Sequence, residues 1–342
     1  MWLILTGSTG FVGRNFLLKI LATATYEKII LPVRSQEKLR AQFMGDGFDS
    51  LPPNLHVVES STHDWALRSL VVAKPTGIPL QVIHSAGTNF ARSREEYFKV
   101  NVRGTERLLA DTEGAEATLI LSSQAAAGPC AENALEKKEG EEDSPVTFYG
   151  ESKLALEEAA LRLFPNRNLL ILRPPMILGA RDTASLPLFK MAKGPVRFKP
   201  GRADKTYSFI GVDDLVDAMI RSLELSEKWK SLPRQKYFVA SPETVTDRQL
   251  IQTCATLLQR EGITVPLPQS FLKVLSQVVD WVPALRQQVP SLTIDRAKDI
   301  WPARWVASPR SFEGAFQWKG RVDLTTALRQ AYEWYRKTGQ LR

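Results

Sequence analysis

A doubly wound α/β fold, with a smaller substrate-binding region toward the C-terminus, follows from three observations in this chain. Short apolar runs alternate with helical segments through the first half. A glycine-rich turn follows the first apolar run directly. After Arg173 the texture changes, and Pro174, Pro175, Pro187, Pro195 and Pro200 punctuate shorter elements. Strands alternating with helices imply a parallel sheet covered on both faces.

The elements follow in order. Trp2–Leu5 has the pattern of a strand, and Phe11–Ala22 has helical periodicity. Further strands are expected at Lys28–Val33, Leu55–Val58, Leu80–His84, Thr118–Leu121 and Leu169–Leu172. Tyr97–Ala110 and Tyr149–Phe164 are expected helices, as are residues 247–261. Residues 130–147 are polar and charged, and fit either a mobile loop near an active site or a solvated surface insertion. The expected division is a nucleotide-binding domain over 1–173, with a late return near 205–245, and a mainly substrate-binding region over 174–342. The return to the main sheet centres on Tyr237–Ala240.

The 342 residues, 44% of them hydrophobic, suffice for a sizeable core. The net charge is +8, yet the 45 basic and 37 acidic residues are interspersed. Without a Lys/Arg run, no nucleic-acid partner is expected. A basic surface suits anionic small molecules instead. Cys130 and Cys254 lie far apart, and His56, His63 and His84 form no metal motif. Reduced thiols and no metal are expected. Met1–Leu5 flows into the glycine turn, which makes it a strand rather than a secretory signal. No stretch approaches the roughly 18 uninterrupted apolar residues of a membrane span. A cytoplasmic protein is the expectation.

Residues 6–13 read Thr-Gly-Ser-Thr-Gly-Phe-Val-Gly. Gly7, Gly10 and Gly13 come after a strand and open a helix. That spacing allows a tight turn, a close approach to a pyrophosphate and close helix–strand packing, the dinucleotide-binding arrangement of a Rossmann sheet. The helix N-terminus then aims N–H groups at the phosphates. An acid at the end of the second strand would select NAD(H). Here Ile30-Leu31-Pro32-Val33-Arg34-Ser35 has none, and Arg34 is placed to pair with a 2′-phosphate. The expected cofactor is NADP(H), with NAD(H) as the alternative.

Tyr149 and Lys153 are four residues apart at the start of an expected helix, which puts both side chains on one face. A neighbouring ammonium stabilises a phenolate and equips a tyrosine for acid–base work. Ser122 and Ser123 follow the fifth strand, at the sheet edge where ligands bind.

With these residues in hand, the chain resembles the extended branch of the short-chain dehydrogenase/reductase superfamily. The resemblance rests on TGSTGFVG at 6–13, HSAG at 84–87, NVRGT at 101–105, SSQAAAG at 122–128, YGESK at 149–153, RPPMILG at 173–179 and GVDDLVDA at 211–218. It implies that Gly7, Thr9, Gly10, Phe11, Val12 and Gly13 line the pyrophosphate, and that Ser85, Ala86 and Gly87 flank the cofactor. Asn101 resembles the asparagine that braces the site, with a capping or packing role as the other reading. Ser123, Tyr149 and Lys153 resemble the catalytic triad, with Lys153 also holding the nicotinamide ribose. Ser122 is a cofactor-side candidate. Pro174, Pro175 and Ile177 would approach the nicotinamide, and Gln124 and Met176 the substrate. Asp213 and Asp214 resemble a structural pair. Ser61 and Thr62 stand where the family usually has an aspartate that reads the adenine.

Sugar-nucleotide dehydratases of this family carry an Asp-Glu pair where this chain has Gln124 and Ala125. Epimerases usually have an asparagine where it has Met176. The Arg173-Pro174-Pro175 form resembles dihydroflavonol, hydroxysteroid and fatty-acyl reductases. The C-terminal tail, WKGRVDLTTALRQAYEWYRKTGQL, looks instead like the general epimerase-like branch. The expected activity is NADP(H)-dependent reduction of a carbonyl, or oxidation of an alcohol, on a partly apolar small molecule. The alternatives are an epimerase-like enzyme that retains NAD(P), and a non-catalytic NADP(H)-binding sensor. In residues 270–285, Phe271, Val274, Leu275, Val278 and Trp281 repeat at helical spacing. They suit an apolar lid, a lipid-facing helix or a plain buried face, and so leave room for peripheral membrane contact. The resemblance also leaves room for a homodimer.

Overall fold

The computed structural model describes residues 1–62, 64–282 and 293–341. His63 and residues 283–285 of the apolar segment lie outside them. The chain begins β1 (Trp2–Thr6), α1 (Phe11–Leu21), β2 (Lys28–Val33), α2 (Gln36–Gly45), β3 (Leu55–Glu59), α3 (Arg68–Val72) and β4 (Leu80–His84). It continues α4 (Arg94–Phe98), α5 (Gly104–Asp111), β5 (Ala117–Leu121), α6 (Phe148–Leu163) and β6 (Leu169–Arg173). Then come β7 (Met176–Leu178), α7 (Leu186–Ala192), β8 (Val196–Pro200), β9 (Thr206–Gly211), α8 (Val212–Glu224) and β10 (Lys236–Phe238). The last elements are β11 (Thr244–Thr246), α9 (Asp247–Leu257), β12 (Ile263–Leu267), α10 (Gln269–Trp281), α11 (Ile294–Ala297), β13 (Arg304–Trp305), α12 (Arg310–Phe316) and α13 (Leu324–Lys337).

These elements form two compact units. The first comprises Met1–Ser122, Ser152–Arg173 and Val216–Tyr237. Its seven-stranded sheet has the order β10-β6-β5-β4-β1-β2-β3, and the pairs from β3 through β6 are parallel. Chain order reverses between β1 and β4, the switch point where such sheets bind nucleotides. Every residue of β1, β4, β5 and β6 is buried, as a parallel sheet covered on both faces requires. Ile4, Ile30, Val82 and Leu108 fill one core cluster; Ile120, Leu156, Ala160 and Ile171 fill another. The doubly wound α/β sheet expected from the sequence is present.

The second unit comprises Ser123–Glu151, Pro174–Leu215 and Phe238–Arg342. Its β9 pairs with β7, β11 and β13, and β8 pairs in parallel with β12. A core of Phe189, Phe209, Leu328 and Tyr335 lies within it. Asp214 accepts the Arg321 and Val322 N–H groups at 2.7 and 2.8 Å, and Gln330 donates to Asp213 at 2.8 Å, a structural use of that pair. No helix among the described residues is long and apolar enough to cross a membrane.

Three sequence expectations change. The helix expected over Tyr97–Ala110 is interrupted by a π turn at Lys99–Arg103, between α4 and α5. Inside it, Asn101 turns its amide to Thr88 and Ser152, and apolar spacing does not register so local a widening. Residues 130–147 are not a plain solvated insertion. Lys137 is buried and its backbone bonds Val306 and Ser308, while Glu139 accepts from Phe238 N–H and the Ser311 hydroxyl. The charges that mark this stretch as polar tie it down. Finally, α10 buries Val279 and half-buries Leu275 but leaves the rest of its expected apolar stripe, Phe271, Val274, Val278 and Trp281, exposed.

Candidate active site

The glycine turn is closed by Gly10 N–H donating to Gly7 O at 2.9 Å. Gly7 has φ of +76°, and a Cβ on it would meet Ala86 N at 2.7 Å. A Cβ on Gly13 would lie 2.2 Å from Gly7 O. Only glycine fits at either position. Helix α1 starts with no side-chain cap and no acid in its first turn, so its leading N–H groups are left for an anion. The Ser8 hydroxyl is buried without a hydrogen-bond partner among the described residues. An uncapped helix, a cradle that excludes Cβ atoms and an orphaned hydroxyl fit a dinucleotide phosphate. Thr9 O is held by Gln42 Nε2 at 3.1 Å, and Phe11 and Val12 open the helix.

Arg34 directly follows β2, exposed and with no ion-pair partner among the described residues. Ser61 and Thr62 begin a tight turn in which Asp64 N–H reaches Ser61 Oγ at 3.3 Å. Thr62 packs where a Cβ on Gly104 would sit, at 3.4 Å. After β4, the Ser85 hydroxyl donates to Thr6 O at 2.7 Å, which fixes that turn against the glycine loop.

A buried relay crosses this floor. Ala86 N–H donates to Thr6 Oγ1 at 3.2 Å, and Thr6 Oγ1 lies 2.7 Å from His84 Nδ1. His84 Nε2 lies 2.9 Å from Thr105 Oγ1, which donates to Asn101 O at 2.6 Å. Because Thr105 spends its proton on a carbonyl, it must accept from Nε2–H, and Thr6 then donates to Nδ1. The imidazole is neutral with its proton on Nε2. Burial, reinforced by the Lys153 charge, lowers its pKa from 6.5 to about 3. Asn101 is equally spoken for: its amide donates to Thr88 O at 3.0 Å and Ser152 Oγ at 2.9 Å, and accepts from Thr88 N–H at 2.8 Å. These bonds make it a brace.

Tyr149 and Lys153 stand one turn apart on α6. Lys153 is buried, and Nζ donates to Leu121 O at 3.0 Å. Gly87 keeps the space beside it open, since a Cβ there would lie 3.5 Å from Nζ and 3.1 Å from Asn101 Oδ1. Burial lowers the Lys153 pKa to about 8, against the opposing pull of Glu157. The ammonium is charged at neutral pH and near its titration range. Ser122 donates to Glu157, which is also clamped by Arg173 in a fully buried ion pair with a Nη2–Oε2 distance of 2.5 Å. The Ser122 hydroxyl thus belongs to an internal network.

In the second unit, Ser123 caps a short 3₁₀ turn, Gln124–Ala126, by accepting Ala125 N–H at 3.1 Å. A Cβ on Gly150 would lie 2.4 Å from Ala125 O, so glycine next to Tyr149 lets the serine segment approach the start of α6. Gln124 N–H donates to Pro174 O at 2.8 Å, and its buried Nε2 has no partner among the described residues. Pro175, Met176 and Ile177 follow, half-buried, with Met176 packed on the second unit's core. The sequence reading missed Arg296, whose guanidinium lies 5.3 Å from the Tyr149 ring centroid, and Asp295, which accepts Phe148 N–H at 3.1 Å. No motif marks either one. The Glu157 clamp was also missed, although its four-residue offset from Lys153 on α6 was a readable signal.

The structural likenesses are extensive. A UDP-glucuronic acid 4-epimerase from Bacillus cereus in complex with NAD matches with a TM-score of 0.73 at 15% identity, covering 99% of each chain. The dTDP-glucose 4,6-dehydratase DesIV from Streptomyces venezuelae gives 0.75 at 16%, covering 99% of this chain and 98% of that one. At these identities the likeness is one of fold. In sequence, the ceramide reductase of Caulobacter vibrioides is 25% identical over 346 residues, 98% of this chain and 95% of that protein. A decarboxylating sterol-4-alpha-carboxylate 3-dehydrogenase of Candida albicans is 24% identical over 273 residues, 74% of this chain and 75% of that protein. The family model of NAD dependent epimerases and dehydratases matches residues 3–233, from the glycine turn through the Tyr149–Lys153 pair to the edge of β10. The chain belongs to the NAD dependent epimerase/dehydratase family, whose members are nicotinamide-dependent enzymes.

Proposed function

We propose that this enzyme is an NADP(H)-dependent carbonyl reductase, or alcohol dehydrogenase in reverse, acting on a lipid-like substrate. The observation that carries the reading is the buried Lys153 ammonium, anchored on Leu121 O one helical turn from Tyr149. When bound, the nicotinamide would supply or accept the hydride. Gly7, Gly10, Gly13 and the open end of α1 would hold its pyrophosphate, with Thr9, Phe11 and Val12 around it. Ser85, Ala86 and Gly87 would flank it after β4, and Pro174, Pro175 and Ile177 would border the nicotinamide. Ser61 and Thr62 would lie by the adenine. Arg34 supports NADP(H) over NAD(H), being a cation with no internal partner among the described residues at the end of β2.

The Tyr149 phenol gives its proton to the oxygen that becomes the alcohol, and takes one back in the oxidative direction. Lys153, fixed by Leu121 O, stabilises the phenolate left behind. Ser123 orients the substrate oxygen, and Asn101 positions the floor through Thr88 and Ser152. Gln124 and Ala125 provide neither the acid nor the base of a dehydration, which supports simple redox chemistry. Gln124 and Met176 would line the substrate's path. The relatives named for ceramide and for a sterol carboxylate favour a long apolar substrate.

The test is NADPH oxidation with a panel of long-chain ketones, aldehydes and acyl thioesters. Tyr149→Phe should lower kcat by roughly 10²–10⁴-fold, while NADPH affinity stays within about threefold, because the ring and its packing remain. Turnover in the variant close to that of the unmodified enzyme would refute the assignment. Tight retention of the nucleotide without net oxidation of NADPH would point to an epimerase instead.

A further inference from the structure

Two elements of the second unit, linked through β12, turn large apolar side chains outward. On β8 the alternation buries Arg197 and Lys199, each 1% exposed, and turns Val196 and Phe198 outward at 42% and 45%. Inside, Arg197 Nη2 donates to Arg260 O at 2.8 Å while its buried Nε has no partner among the described residues, and Lys199 Nζ bonds Ala203 O at 2.8 Å and pairs with Asp204 at 3.1 Å. On α10 the buried residues are Ser276 and Val279, while Phe271, Val274, Val278 and Trp281 are 53%, 59%, 41% and 85% exposed. These four recur at intervals of three or four, a single stripe along the helix. β12 hydrogen-bonds to β8 and leads through Pro268 into α10, with Ile263 at its start also exposed. A water-facing surface normally runs the other way, and apolar stripes of this size mark contact sites.

We propose that this face docks on an anionic lipid bilayer, with Phe271 and Trp281 inserted at the headgroup level. The occupant follows from charge. Between residues 262 and 282 the one acid is Asp280, and its carboxylate is taken by Ile294 N–H at 2.8 Å. Lys273 on the same helix is exposed, and the chain carries +8. The net +8 of the whole chain opposes close approach of a second copy and attracts an anionic membrane, while the stripe itself carries little charge to oppose insertion. Tryptophan and phenylalanine on an amphipathic helix are the side chains that settle at a membrane interface. The choice of a bilayer also rests on the lipid-like substrate proposed above, which would reside there.

The experiment is flotation of the full-length chain with vesicles of phosphatidylcholine containing phosphatidylglycerol, with no substrate present. The unmodified protein should float, less so in high salt. Trp281→Ser with Phe271→Ser should lower the partition coefficient at least about 10-fold, with an unchanged melting temperature and unchanged NADPH affinity. Brominated phosphatidylcholine should quench part of the tryptophan fluorescence, and that part should vanish in Trp281→Phe. Failure of the unmodified chain to float, or equal flotation of the double variant, overturns the proposal. So does a dimer in sedimentation that Trp281→Ser makes monomeric, which would assign the face to a second copy. Because flotation needs no turnover, a failed carbonyl panel leaves this result standing, and the reverse is equally true.

Discussion

His84 should make the nucleotide-binding unit acid-labile by a measurable amount. Its ring is locked between Thr6 and Thr105, with Nδ1 accepting and Nε2–H donating. Protonating Nδ1 turns that acceptor into a donor facing a hydroxyl that already receives Ala86 N–H. The pKa falls from 6.5 to about 3, first through burial and then through the Lys153 charge. Since the folded-state value is the lower one, the unfolded chain binds the extra proton. Stability is therefore undiminished above pH 6.5 and falls as pH drops toward 3. The slope is about 1.4 kcal/mol per pH unit, and the full loss is roughly 4–5 kcal/mol. Urea unfolding at several pH values, for the unmodified chain and for His84→Gln, isolates this residue from the carboxylates. The variant starts less stable, because glutamine fills the site imperfectly, but its stability should fall less steeply between pH 6 and 4, by that same ~1.4 kcal/mol per unit. Parallel curves would refute both the neutral tautomer and the burial argument.

Two predictions concern the cofactor. Arg34→Ala should weaken NADPH binding by roughly 10–150-fold, the worth of a charge-assisted hydrogen bond at 1.5–3 kcal/mol, and leave NADH within about twofold; calorimetric titration with both nucleotides decides it, and equal affinities in the unmodified enzyme would sink the NADP(H) assignment. Lys153, with its pKa lowered to about 8 by burial, loses its charge as pH rises through that value. NADPH affinity should therefore decline above pH ~8, and Lys153→Met should start weaker and show no such alkaline limb; an identical limb in the variant would place the titrating group elsewhere.

What could be read from the sequence was local in the chain. The glycine turn is legible because its glycine spacing is confined to seven consecutive residues: Gly13 fails as alanine through its approach to Gly7 O, and Gly7 through its φ of +76° together with the approach of Ala86. The Tyr149–Lys153 pair is legible because a helix converts a spacing of four into a shared face. What fixes those residues was not legible. Leu121 O holds Lys153 from 32 positions away, and Asp295 holds the start of α6 from 147 positions away. Backbone carbonyls have no side-chain identity to recognise. Arg296 beside Tyr149 belongs to a segment with no motif.

The apolar face shows a different limit. A hydrophobic period names a stripe but not the solvent it meets, since the same spacing serves a helix packed on a core and one lying on a membrane. For α10, spacing alone therefore left a buried face and a lipid-facing face open. The strand β8 distinguishes them better. Its sequence, Val196-Arg197-Phe198-Lys199, alternates cleanly, and the ordinary expectation turns the cations to water. The structure turns them inward, where Ala203 O, Arg260 O, Asp204 and Asp247 receive them. Burying a cation is costly unless it is paired and hydrogen-bonded; Lys199 has both through Asp204, Asp247 and Ala203 O, whereas Arg197 has the Arg260 carbonyl and no ion pair among the described residues. A chain that builds such partners on the inside has left Val196 and Phe198 outside, beside the element that leads into α10. Large apolar side chains turned outward on two connected elements are harder to attribute to loose packing than on one. They are the pattern of a surface whose solvent is not water.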